Sequence, residues 1–576
     1  MSMGDAPKYA ADTDLAHDPD LTGPADDTDP ADTEPADTTS TDSPVVAAGS
    51  TAVPSAIAVD ARPKLARRTI AAIAWSVLAL TLWSICTPLW TSPDSDSHVV
   101  NAINVAHGRI APVPNDDWSH GGRANSIAIA PSSIVESAAS VECYFFKPEV
   151  SAACILPIDD DETLTEQVNS AGRNVPTYYL LTGLPSLFTE PSDTVPAMRV
   201  VAIAAGAVLL GWAISAALSY RRRAIAFFGV FAATTPMVLY LSGVVNPNGL
   251  EITASIAMTT CSLAYLAAPP GSPISHIFFR RAMLAAAVMV SIRLLAPGWA
   301  LVWLVAFLAL HTRRQLRVDR GRKLAWASLP ALGILANGLW TIKFDVGDLN
   351  IPPPADLTGM EAFFSAKRFI EDGTLTQAIG AFGWLDTAAP LGSIRRYFFA
   401  VVIVLGVLAV TLALRQLLIV LYVTFSAYAV PIALQAWQWN TTGAVWQGRY
   451  SLPLLVMVPI TVALLAAASP RPLRSWFPAV KVFILAGLPI AVIVMLATHV
   501  QSIIAQLHRN VGGIYAPNFW TGPWQPWLGP IPLVLIATGI AVAVGIWYLL
   551  ACAREWSAES NAQPEIAASE ALALGT

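Results

Sequence analysis

The chain reads as an all-α polytopic membrane protein with about twelve transmembrane helices and two long extracytoplasmic loops. Two observations carry that reading. Of 576 residues, 55% are hydrophobic and only 13% charged, about half the charged share of an average soluble domain. Apolar runs of about twenty residues also recur along the chain, with Lys and Arg gathered in short clusters between them. Such runs cross a hydrocarbon core of ~30 Å at 1.5 Å per residue, and the basic clusters set their orientation.

Residues 1–62 are rich in Asp, Thr, Pro and Ala, with PADDT, PADTE and PADTT between Pro24 and Thr39. Too little apolar surface is present to offset ordering entropy, so the segment reads as a disordered acidic cytoplasmic tail. It is not a cleaved signal peptide, because the first apolar run begins too late. Residues 1–45 hold twelve acidic residues against Lys8, so the formal net charge of −6 hides a membrane body near +5. The basic residues of that body lie where membrane orientation explains them, and nucleic acid is not an expected partner.

The membrane domain spans residues 63–552. Lys64, Arg67 and Arg68 precede the first apolar run, 69–90, and place the N-terminus inside. Residues 91–194 form the first extracytoplasmic loop, which includes the amphipathic VVNAINVAHGRI, the acidic run Asp159 to Glu162, and VPTYYLLTGLPSLF (175–188). That last stretch is too short to span and reads as interfacial or re-entrant. Further spans are expected at 196–219, 224–245 and 250–268. The run 282–310 is basic on both flanks, so two short helices hinged near Arg293 to Pro297 fit it best. A span at 324–342 leads to the second extracytoplasmic loop, 343–396. The last five spans are expected at 397–414, 416–436, 450–468, 480–498 and 530–551. A cytoplasmic tail, 553–576, follows, so both termini lie inside.

The first loop opens on Thr91-SPDSDSHVV, which puts Asp94, Asp96 and His98 at the boundary of the first span; in a helix, Asp94 and His98 share a face. The same side collects Asn246, Asn248 and Glu251, Asp386 in FGWLD, and Gln447 and Arg449 in WQGRYSLP. Each has a bland account, since loop ends are polar everywhere, but the cytoplasmic connections are nearly free of carboxylates. Arg293 lies inside an apolar run, where an isolated cation costs at least ~2.5 kcal/mol. A carboxylate, a phosphate or backbone carbonyls at the helix break would satisfy it. Trp437, Trp439, Trp446, Trp520, Trp524 and Trp527 suit an interfacial aromatic belt, with sugar stacking as the sharper alternative. Cys143 and Cys154 share the first loop and are a candidate disulfide in an oxidising exterior. No Cys/His metal spacing, phosphate-binding Gly-Lys loop or Gly-x-Ser-x-Gly elbow occurs. Asp94 and Asp96 are the candidate ligands for a hard divalent ion such as Mg or Mn, held together with a substrate phosphate.

On these motifs residues 68–552 resemble the polytopic bacterial membrane proteins known as domain of unknown function 2142. SPDSDSH corresponds to the family's P-D-E-x-x-H, VPTYYLLTGLP, which holds Tyr178, to its P-P-x-Y-Y-L, and VNPNGLE to its N-P-D-G. FGWLDTAAP and WQGRYSLPLL correspond to its later motifs. Ser95 stands where the family has Glu, and Asn248 where it has Asp. The architecture resembles the GT-C class of membrane glycosyltransferases, which use lipid-linked sugar donors and keep a catalytic acid in the first outside loop. The resemblance implies a protein of the bacterial cytoplasmic membrane, with Asp94 and Asp96 catalytic and His98, Tyr178, Asn246, Arg293, Asp386, Gln447 and Arg449 binding substrate. The implied reaction transfers a sugar from a polyprenyl-phosphate donor to an envelope glycan or lipid acceptor, within membrane lipid. The residues leave open a transporter or flippase of a lipid-linked or small polar substrate, and a non-catalytic scaffold for envelope assembly.

Overall fold

The computed structural model describes residues 56–57, 62–115, 125–312, 315, 317–346, 356–469 and 478–561. Most of the acidic N-terminal tail and most of the C-terminal tail lie outside the described residues. The fold is helical. Ten helices among the described residues are long and apolar enough to cross a membrane. They are α1 (Arg62–Ile85), α5 (Pro191–Ala217), α8 (Pro247–Ala267), α9 (Pro273–Val290), α11 (Arg320–Lys343), α13 (Leu391–Ala409), α14 (Leu414–Thr442), the pair α15 (Gly448–Leu455) and α16 (Met457–Ala467), α17 (Pro478–Gly512) and α18 (Pro530–Asn561). The helices α6 (Arg223–Ala233) and α7 (Pro236–Ser242) are together apolar and long enough for a further span, but bend by 65° at the break between them. The shorter apolar helix α10 (Ala296–Leu310) follows the break after α9. Apolar helical segments thus stand at every position where the hydropathy pattern predicts a span, but the run 282–310 is not two short helices: α9 begins at Pro273, carries Arg280 and Arg281 inside it and is long enough to span, and α10 alone of the two is short.

Proline explains two of the irregularities. Pro236 sits at the first turn of α7, where Thr235 Oγ1 caps the Val238 amide at 3.4 Å; proline lacks the N–H needed to continue α6. Pro297 likewise opens α10. The central helix α8 is buried all round, and α1, α5, α7, α9, α10, α15 and α16 pack against it or its neighbours. At the periphery α11 meets α9, and its Leu324, Leu332, Leu335 and Leu339 are exposed, as lipid-facing residues are in a membrane.

The first loop is folded. Helix α2 (Ser95–Ala106) lies on an antiparallel sheet of β1 (Val113–Pro114), β2 (Ser126–Pro131) and β3 (Leu164–Asn169), ordered β1-β2-β3 with Ile127 opposite Val168. The alternating SIAIAP of β2 buries every second residue. Asn104 Oδ1 accepts from the Ile129 amide at 3.0 Å, and Asn169 Nδ2 donates to the Ser97 carbonyl at 2.9 Å, so the sheet fixes the pose of α2. Next comes α3 (Ser132–Ala139), then a disulfide joins Cys143 to Cys154 with 6.1 Å between Cα atoms. The stretch 175–188 folds as the short helix α4 (Thr177–Gly183) and a 3₁₀ turn, with Leu180, Leu181, Leu184 and Phe188 exposed, and does not cross.

The second loop holds α12 (Gly359–Gly380), a helix that hydropathy alone passes over because its polar face lowers the average. Thr358 and Glu361 close a capping box at its start. A small hairpin of β4 (Ala381–Phe382) and β5 (Thr387–Ala388) then carries FGWLD.

Candidate functional site

The turn 90–94 is held from behind. Trp384 Nε1 donates to the Trp90 carbonyl at 3.2 Å, Tyr240 Oη to the Thr91 carbonyl at 2.7 Å, and Asn246 Nδ2 to the Pro93 carbonyl at 3.0 Å. With its backbone carbonyls engaged, the chain enters α2 through Asp94 in the left-handed region, φ 56°. Asp tolerates that conformation better than most residues. Asp94 occupies the N-cap position yet makes no capping hydrogen bond. Its carboxylate is directed to Arg449 instead, whose Nη2 donates to Asp94 Oδ2 at 2.6 Å.

Arg449 enters at the start of α15, is 1% exposed, and also donates from Nη2 to Tyr450 Oη at 3.0 Å. Its Nε and Nη1 are buried and make no hydrogen bond. Arg293 also lies by the Tyr450 ring: the guanidinium carbons of Arg449 and Arg293 are 5.0 and 5.2 Å from the ring centroid. Arg293 Nη1 donates to Asn248 Oδ1 at 3.1 Å, and its Nε lies 4.0 Å from Glu251 Oε2. Two cations therefore share one aromatic ring, each beside a carboxylate: Asp94 near the surface and Glu251 deep in α8. The Arg293 side chain keeps 23% exposure at the break between α9 and α10, where Asn337 Nδ2 of α11 donates to its carbonyl at 2.9 Å. The polar partners an intramembrane arginine requires come from α8, through Asn248 and Glu251.

Asp96 and His98 project from α2. Asp96 Oδ1 is buried and makes no hydrogen bond. Burial, aided by the charge of Asp94, pushes the Asp96 carboxyl up to about 6. His98 Nδ1 lies 3.0 Å from Tyr179 Oη, its Nε2 is buried without a partner, and burial lowers the imidazole to about 3, leaving it neutral. For Asp94, burial pushes upward, but the charge and hydrogen bond of Arg449, helped by Arg293, outweigh it and hold the carboxyl below the ordinary range. Tyr178 packs edge-on to Tyr179 with centroids 5.4 Å apart, its hydroxyl beside the Asn246 backbone. Gln447, at the N-cap of α15, has a buried Oε1 without a hydrogen bond.

The structure thus gathers Asp94, His98, Asn246, Arg293 and Arg449, residues up to 355 positions apart, at one end of the helix bundle. Asp386 is a different case: it does not join this cluster. Its Oδ1 accepts from the Trp384 amide and Thr387 Oγ1, and its Oδ2 accepts from the Phe146 amide at 3.0 Å and faces Arg509 Nη2 at 3.6 Å. With both oxygens engaged by protein, Asp386 ties the FGWLD hairpin to the disulfide loop and to α17, and so supports the 90–94 turn indirectly. Two members of the cluster, Tyr179 and Tyr450, are not singled out by the sequence; Asn248 and Glu251, which it names only as polar groups on the same side, are the partners of Arg293, and Asn248 accepts from Arg293 at the position where the family has Asp.

Asp94 and Asp96 are the carboxylates this end of the bundle offers a divalent ion, which takes about six oxygen ligands and often draws several of them from water and a substrate phosphate. Among the described residues no group of three or more His, Cys, Asp or Glu side chains could hold one, and Asp94 Oδ2 is already taken by a guanidinium. No step below runs through a metal.

The predicted membrane protein family DUF2142 matches residues 77–458, a stretch that holds every member of this cluster. The chain belongs to that family. No curated protein matches the chain in sequence. Among solved structures the chain is similar, at 14% identity and TM-score 0.36, to ArnT from Cupriavidus metallidurans bound to undecaprenyl phosphate, covering 86% of this chain and 78% of that one. The apo state of ArnT gives the same identity and TM-score over 84% and 76%.

Proposed function

We propose that this DUF2142 protein transfers a sugar from a polyprenyl-phosphate donor to an envelope glycan or lipid acceptor at the outer face of the cytoplasmic membrane. The observation that carries the reading is the Asp94–Arg449 pair at 2.6 Å beside Arg293, with two guanidinium nitrogens of Arg449 buried and unbonded. Buried donors left unmade are costly, and a phosphate oxygen is the partner a guanidinium fork fits best. The location supports a lipid-linked phosphate. Beside Arg293, Leu294 is exposed, as are Leu301, Leu304 and Leu308 along α10, so an isoprenoid chain has an apolar track leading to the site.

In the proposed reaction the acceptor hydroxyl attacks the anomeric carbon. The bond from that carbon to the phosphate oxygen breaks, its electron pair leaves with the phosphate, and the hydroxyl proton passes to a carboxylate. Arg449 and Arg293 face the charge that grows on the leaving group. While paired to Arg449, Asp94 is a weak base. A donor phosphate competes for the guanidinium, weakens its hold and makes the carboxylate more basic as the acceptor arrives. Asp96, already raised to about 6, is the second carboxylate within the same turn. His98 is a neutral hydrogen-bonding group that orients the acceptor.

The test uses the full-length protein in proteoliposomes with a synthetic polyprenyl-phosphate sugar, followed by product analysis. Asp94→Asn and Asp96→Asn are made singly, and Asp94→Asn should lower transfer by roughly 10²–10⁴. Unchanged glycan products in both variants would sink the mechanism; movement of donor across the bilayer without a new glycosidic bond would make the protein a transporter.

A further inference from the structure

A polar cavity lies at the far end of the two helices that meet at Arg293. α9 begins at Pro273 and α11 at Arg320, and a cavity of about 500 Å³ opens between these ends. It is walled by His276 and Arg280 from α9 and by Arg322, Lys323 and Trp326 from α11. Among the described residues no carboxylate lines it; the adjacent Asp319 is held by His276 Nε2 at 3.1 Å. The Arg280 guanidinium lies 5.9 Å from the centroid of Trp326. Lys323 lies over the Tyr265 ring at 5.3 Å and donates to the Gln315 carbonyl. Among the described residues neither Arg280 nor Arg322 has an ion-pair partner. Three permanent cations thus converge on one cavity, an arrangement whose mutual repulsion an anion relieves.

We propose that this cavity binds the phosphate headgroup of an anionic phospholipid. The cationic residues select a phosphate. The setting selects a lipid over a soluble phosphate compound, because both walls are the first turns of membrane spans and Leu324, beside Lys323, is 61% exposed along the flank where acyl chains would lie. Trp326 is an aromatic of the kind found at the headgroup level, and basic pockets between spans are suited to such lipids. The headgroup has a structural task. It bridges α9 and α11, which at their other ends are joined by Asn337 Nδ2, bonded to the Val290 and Arg293 carbonyls at 2.9 Å each. At 18 residues, α9 puts about 27 Å between the lipid site and Arg293. Occupancy of one end therefore steadies the helix pair that presents Arg293 at the other. The site stands whether or not the chain transfers sugar.

The test places the full-length protein in phosphatidylcholine nanodiscs carrying trace photoactivatable phosphatidylglycerol, with crosslinks mapped by peptide mass spectrometry. Label is expected on the first turns of α9 and α11. Arg280→Gln with Arg322→Gln should reduce it by roughly thirtyfold, and Arg280→Lys with Arg322→Lys should retain most of it. Equal labelling by a photoactivatable phosphatidylcholine would overturn the proposal, as would undiminished labelling of the glutamine variant. Displacement of the label by inorganic phosphate would assign the cavity to a soluble anion instead. Should the glutamine variant fail to insert, the comparison of the two lipid probes on the unmodified protein decides alone.

Discussion

Replacing Arg449 by Gln separates the chemistry of the site from its contribution to folding. The guanidinium is 1% exposed and holds Asp94 at 2.6 Å. Breaking a buried ion pair costs about 3–5 kcal/mol. Here the Asp94 side chain is 37% exposed, so water screens the charge left behind and a stability loss of about 2 kcal/mol is expected. The rate should fall further. Removing one donor aimed at developing negative charge costs roughly 10²–10³ in rate, about 2.7–4 kcal/mol. The pH dependence changes in a defined direction. Without Arg449 the burial that pushes the Asp94 carboxyl upward is no longer outweighed, so the base stays protonated to higher pH and the acid limb of the rate profile moves toward neutrality. Arg449→Lys keeps the charge, loses the planar fork and should recover only part of the rate. The assay is initial-rate sugar transfer in proteoliposomes across an acid-to-neutral series, beside a melting curve. A glutamine variant that melts as expected yet keeps its rate and its acid limb would refute the assignment of Arg449.

Asp96→Asn tests the buried carboxyl beside the Asp94–Arg449 pair. Its folded-state value of about 6 lies above the ordinary 3.8, so below ~3.8 both folded and unfolded chains hold the proton. As pH rises from there to about 6 the unfolded chain releases it first, and the folded state loses roughly 3 kcal/mol. Asp96→Asn should therefore melt above the unmodified protein near pH 7.5 and level with it near pH 4; no gap at neutral pH refutes this. Arg509 is fully buried, donates to the Tyr144 carbonyl at 2.9 Å and to the Val150 carbonyl, and lies 3.7 Å from the Tyr144 ring centroid. Arg509→Gln should cost about 3–5 kcal/mol in melting experiments, and a loss under about 1 kcal/mol would remove it as the anchor of the disulfide loop. Cys143→Ala opens a loop closed across 11 positions and should cost about 3 kcal/mol, after which a reductant should cause no further loss.

Sequence alone determined what depends on pattern and composition. Ten of the apolar runs became membrane-sized helices among the described residues, because about twenty apolar residues have one stable solution in lipid, a helix that satisfies its own backbone. The break at 291–295 was legible from the internal Pro297, but not the start of the helix before it: Arg280 and Arg281, read as a flank, lie inside α9, which begins at Pro273. The amphipathic α12 and the sheet under α2 were less legible, because their apolar residues are spread over one face and hydropathy averages that signal away.

Tertiary structure alone decided which polar groups meet. Asp94, Asn246, Arg293 and Arg449 carry no spacing that links them, since each belongs to a different helix end and distance in sequence says nothing of how spans are arranged. Asp386 shows the other side of this. Its motif stands out as clearly as that of Asp94, but folding turns its carboxylate to Arg509 and the Phe146 amide. The direction of a side chain is set by the packing of the helices and loops around it, and helix packing is a property of three-dimensional neighbours. The sequence named the unusual residues; the fold sorted those that meet in one cluster from those that hold its surroundings.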